Sequence, residues 1–279
     1  MCNCCANNGA RKGDGRRINV MSRRDPTKTT TLRRRFEAEL NKRWRKARGE
    51  IRAYIDRLDY PLSAQDQRRL SERVEEIVQR EVLDGLSIED MEDRLVVPSW
   101  VASKIDAARE KGAEHAITLA EGAGIAVAAT GASILGRSAA RNRRAAQIEQ
   151  VAEDMSSAAR DTRRSIRREA AAAATKTEAM GAASERARKT GQHRMRLLAR
   201  TEVVRAHHKA SMSVYEYADV DEVSVVAEIR TAGDDRVCVK CKELEDQGPM
   251  PLKEAENLIP LHVQCRCRVA PVPKNEDKQ

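Results

Sequence analysis

The chain has 279 residues, enough for two or three domains; 34% are charged and only 3% aromatic, and the formal net charge is +9. So few large apolar side chains mean thin cores, and the abundance of Ala, Arg and Glu favours long helices over sheets. No apolar run reaches the length of a membrane span, and the start of the chain lacks the apolar core of a secretory signal, so a reducing compartment is expected, where cysteines serve metals more often than disulfides.

The charge is unevenly spread. Residues 1–60 hold 17 Lys and Arg against 7 Asp and Glu, and the remaining residues hold 35 against 36. The positive balance therefore belongs to the first fifth of the chain, a candidate contact for nucleic acid or an acidic protein surface.

Residues 1–31 read as a flexible basic arm, with Cys2, Cys4 and Cys5 near its start. Thr31 is the expected cap for a helix whose apolar stripe runs Leu32, Phe36, Leu40, Trp44, Ala47, Ile51, Tyr54, Ile55 and Leu58. Its opposite side carries Arg33, Arg34, Arg35, Lys42, Arg43, Arg45, Lys46 and Arg48, the candidate surface for nucleic acid or a partner. Tyr60-Pro61 ends this helix. A second helix spans 62–86, with Ser63 as cap and Gly85 as stop, and a short third opens at Ser87. These elements form a helical domain over 32–99.

An Ala/Gly/Arg-rich helical region follows over 100–195. Its stretch from Gly122 to Gly136 has fifteen residues without a charge, too short to cross a bilayer, and reads as a buried or oligomer-packed helical segment. Ser138 to Arg188 reads as one exposed or oligomer-packed helix with a weak stripe of Ile148, Val151, Met155 and Ile166, broken at Gly191. A further helix starts at Arg196. His207 and His208 are neighbours on it and face different directions, so they make no metal site by themselves, and Arg200 and Glu202 are expected to pair with the domain that follows.

The most informative stretch comes last. After an alternating strand over 222–230 come Cys238-x2-Cys241 and then His262-x2-Cys265-x-Cys267. Four of the seven cysteines and one of the five histidines thus fall within thirty residues. Paired soft ligands at this spacing define a tetrahedral zinc site. Five donors compete for four places, and spacing alone excludes neither Cys265 nor Cys267. A closed Cys/His set leaves no open coordination position, so the expected cofactor is a structural Zn2+ ion that replaces missing core in a segment too short to bury much. The expected fold is mainly α, with long N-terminal and central helices, a small C-terminal α+β zinc-binding domain over 196–273, and a polar tail over 274–279.

Leu198-Ala199-Arg200-Thr201-Glu202, followed by Asp234-Asp235-Arg236-Val237-Cys238-x2-Cys241 and His262-x2-Cys265-Arg266-Cys267, resembles the phage head-morphogenesis family, the Mu F-like minor head proteins. The resemblance covers about residues 196–272. Val263 and Gln264 stand where Pro-Asn is common in the family, and Gln247-Gly248-Pro249 departs from its usual Asp/His-Gly-Lys; neither touches a ligand. What the resemblance implies is a minor capsid protein of the virion interior, made in the host cytoplasm and attached to the portal. Scaffold or major capsid protein and packaged DNA are further expected partners, oligomer formation is expected, and no membrane and no catalysis are. Two other readings stand beside it: a metal-dependent nuclease using Asp234, Asp235, His207 or His208, and a DNA-binding protein built on a zinc module.

Overall fold

The computed structural model describes residues 27–220 and 225–273. The cysteines at positions 2, 4 and 5, most of the expected arm, the start of the expected strand and the polar tail lie outside the described residues. Long helices dominate, joined by one small antiparallel sheet near the end of the chain, as the composition implies. No helix among the described residues is long and apolar enough to cross a membrane.

The chain divides into two compact units, each built from separated stretches: residues 1–31, 107–141 and 203–279 form one, and 32–106 and 142–202 the other. The consecutive spans 32–99, 100–195 and 196–273 do not coincide with these units.

In the second unit, α1 (Thr30–Asp56) begins just before its expected cap and buries Phe36, Leu40, Trp44, Ala47, Ile51 and Ile55, the stripe of threes and fours read from the sequence. α2 (Ala64–Glu81) starts with a reciprocal capping box between Ser63 and Asp66 and ends before a turn in which Gly85 takes a left-handed φ of 88°. α3 (Ile88–Asp93) is capped by Ser87. α4 (Ser99–Gly122) begins here, and Trp100 meets Phe36 edge-on at 5.5 Å.

The long helix expected from Ser138 to Arg188 is two helices. α6 (Ser138–Ala172) ends before Thr175, whose side chain accepts the Glu178 N–H and opens α7 (Lys176–Arg186). α6 is no exposed rod: Val151, Ala152, Met155, Ala158, Ala159, Ile166 and Ala170 are all buried. Alanines do most of this packing, which a stripe read from large side chains undervalues.

Gly191 does not break the chain either. Residues Ala187–Gln192 widen into a π-helical turn that leads straight into α8 (His193–Val220). A β-carbon on Gly191 would lie 2.2 Å from the Trp44 ring, so glycine admits the largest buried side chain in the protein. The Trp44 indole N–H points at the Met195 sulfur at 3.4 Å. Arg200 forks onto Glu37 of α1, and Glu202, buried, accepts Gln147 Nε2 at 3.1 Å.

The first unit holds the end of α4, α5 (Gly131–Leu135), the later part of α8 and everything after it. The uncharged stretch from Gly122 is mostly loop rather than helix; Ile125 and Ile134 are the side chains it buries deeply. Gly112 lets α4 and α8 touch, since a β-carbon there would stand 2.4 Å from the His207 carbonyl oxygen. β1 (Val225–Arg230) is the central strand, with β2 (Met250–Pro251) on one side and β3 (Arg268–Pro273) on the other, both antiparallel. Val225, Ala227 and Ile229 alternate inward and meet Tyr215, Val269, Met212 and Val214 in one core. Pro271 and Pro273 are tolerated because β3 is an edge strand. Between the strands run α9 (Val239–Asp246) and the single turn α10 (Leu252–Ala255).

Candidate metal centre

The five sequence-assigned donors come together. Cys238, Cys241 and His262 have ligand atoms within 4.8 Å of one another, and so do Cys241, Cys265 and Cys267, so Cys241 belongs to both groups. All four cysteines are free thiols; Cys241, Cys265 and Cys267 are buried and Cys238 is half-buried.

Local structure explains the convergence. Cys238 is the cap residue of α9 and Cys241 lies in its first turn, so two sulfurs gather at the positive end of the helix. The Cys241 N–H donates to the Cys238 carbonyl at 3.1 Å, which closes the first turn of the pair. In the second pair the Cys265 N–H donates to the His262 carbonyl at 3.0 Å, with Gln264 held left-handed at φ 67°.

The imidazole is set for ligation. Its Nδ1 lies 2.8 Å from the Val263 carbonyl oxygen, which places the proton there. Nε2 then faces the sulfurs, 3.1 Å from Cys241 and 3.3 Å from Cys238. Ligands of one tetrahedral zinc ion stand roughly 3.5–3.8 Å apart, so this is the set drawn slightly inward.

The sulfurs also divide their protons. The Cys265 thiol is held far below its usual range by hydrogen bonds from Cys241 and then Cys267, and it accepts main-chain N–H groups of Cys267 and Leu261. Cys241 is pushed up by its bonds to Cys265 and Cys267 and by burial. Cys267 is drawn down by Cys241 but driven up by Cys265 and burial, to about 12.

Two supports were not legible from motif spacing. Arg266, between the last two cysteines, donates to both carboxylate oxygens of Asp234 at 2.5 and 2.6 Å, which ties the segment before Cys238 to the one carrying Cys265. His208, buried in α8, donates from Nε2 to the Glu256 carbonyl at 3.0 Å, on the loop leading to His262. His207 faces the other way and meets His115 of α4, Nε2 to Nδ1 at 3.3 Å. Asp235 is exposed, so the four groups named for a nuclease sit in different surroundings.

The eight α1 cations also divide. Arg43 pairs with Glu39 and Asp84 and lies over the Trp100 ring, and Lys46 pairs with Glu81 at 2.7 Å. Arg33 and Arg48 are half-buried. Arg34, Arg35, Lys42 and Arg45 are exposed and pair with no acidic group among the described residues.

No family model, no curated protein and no solved structure matches the chain.

Proposed function

We propose that this protein is a minor head protein of a bacteriophage, a structural component that joins the portal inside the capsid and supports head assembly and DNA packaging or ejection. The observation that supports the reading is the clustering of the Cys and His residues from Cys238 to Cys267 beside a small sheet, in groups that could hold a metal ion. A zinc ion held by thiolates and imidazole, with no place left for water, stabilises such a domain and does no chemistry there. Its binding energy becomes folding energy for the loops between β1 and β3.

The exposed α1 cations support a second contact, with packaged DNA. Four phosphate neutralisations give a salt slope of about −3 to −4, without sequence preference. That lack of preference separates this reading from a zinc-module regulator, which discriminates its site by about 4 kcal/mol or more.

The test is binding to portal oligomers. The purified chain should co-sediment with portal rings at moderate salt, and Arg34→Ala/Arg35→Ala/Lys42→Ala/Arg45→Ala should lower DNA affinity and flatten the salt slope while leaving portal binding intact. A chain that ignores the portal and cleaves DNA when given a divalent metal would overturn the reading.

A further inference from the structure

Five donors surround a site with four places, and main-chain geometry separates them. Cys238 and Cys241 form one tight turn, closed by the 3.1 Å bond between them, and His262 and Cys265 form its counterpart, closed at 3.0 Å. Cys267 belongs to neither; it is the residue before β3, in chain already becoming extended. Its ligand atom packs within 4.8 Å of those of Cys241 and Cys265. Cys238 and Cys241 also meet the His262 Nε2, and Cys241 lies against Cys265 as well, so Cys241 joins the two turns.

We propose that the ion is held by Cys238, Cys241, His262 and Cys265, as a site of three thiolates and one imidazole, and that Cys267 stays outside the coordination sphere as a thiol packed against Cys241 and Cys265. The assignment rests on the metal-binding reading of the cluster and goes beyond it by naming the donors. Such a site takes a borderline-soft divalent ion of tetrahedral preference, zinc or its spectroscopic substitute cobalt. Cys267 acts as a positioning residue: its thiol packs against the coordinated Cys241 and Cys265 sulfurs.

The experiment is cobalt titration of the reduced full chain, without oxygen, followed by visible absorption. Wild type should take one ion per chain with the sulfur-to-metal intensity of three thiolates. Cys267→Ser should keep that spectrum and lose no more than about tenfold in affinity. Cys238→Ser and Cys265→Ser should each remove about a third of the intensity, in proportion to the lost thiolate. Should Cys265→Ser misfold, Cys265→His, which retains a donor, should bind the ion with two-thiolate intensity. Four-thiolate intensity in wild type, or a Cys267→Ser spectrum missing a thiolate, overturns the assignment. A wild type that binds no cobalt and no zinc overturns the metal reading beneath it instead.

Discussion

Arg266 grips Asp234 with both arms of its guanidinium, at 2.5 and 2.6 Å, from a position between two cysteines of the metal cluster. The pair joins the chain just before the first donor to the chain at the last ones. Asp234→Asn should therefore weaken zinc affinity about tenfold, as loss of an outer support does elsewhere. Competition with a chromogenic chelator measures it. The Arg266 guanidinium also holds the Asp234 carboxyl below its ordinary 3.8, at about 2. A depressed carboxyl contributes stability that is complete above its unfolded value and is lost as pH falls from 3.8 towards 2. The pair is partly exposed, so this contribution is small beside the loss of metal at low pH.

Removing the ion should unfold residues from about 215 to 273 and leave the rest helical. Far-ultraviolet circular dichroism should keep most of its helical signal in chelator, while amide exchange becomes fast in β1 and β3. Protection of these strands that persists without metal would falsify the staple.

Gln264 occupies a left-handed backbone position that glycine enters freely and asparagine tolerates. Gln264→Gly should raise stability by about 1 kcal/mol, and Gln264→Asn by less. Denaturant midpoints of the zinc-loaded proteins read this directly; a destabilised glycine variant would show that the Gln264 side chain itself holds the turn.

His208 supplies a pH dependence with a definite sign. Burial, more than any neighbour, lowers it from 6.5 to about 4. Its Nδ1 is enclosed without a hydrogen-bond partner. The unfolded chain takes up this proton near pH 6.5 and the folded chain only near 4, so acid favours unfolding between those values. Above 6.5 the group has no effect. Below it the cost grows by about 1.4 kcal/mol per pH step and levels off near pH 4 at about 3 kcal/mol. His208→Gln should flatten this part of the stability–pH curve relative to wild type. Equal curves would place the group in water.

Gly191→Ala should cost about 2 kcal/mol or more, because its new methyl collides with a rigid ring rather than a flexible chain end. Trp44→Leu should recover part of that loss in the double variant, even though it destabilises on its own. Strictly additive effects would show that the two positions do not meet.

Much of this was written in the sequence. The α1 stripe, the Ser63 cap, the helix opening at Ser87 and the clustering Cys and His motif were legible because each depends on residues close together in the chain. What escaped depends on distant partners. Gly191 looks like a helix breaker until Trp44, far away in sequence, is set against it. The Ala-rich face of α6 looks solvent-exposed until its close packing is counted. Asp234 lies 32 residues from Arg266, and no spacing rule connects them.

The adjacent imidazoles of α8 act like two teeth cut at different angles on one key. His207 meets His115, and His208 meets the Glu256 carbonyl. Rotating this part of the helix by a single residue would swap the teeth, leaving one lock empty and jamming the other. Neighbouring histidines that cannot share a ligand thus set the phase at which the helix beneath the sheet can seat.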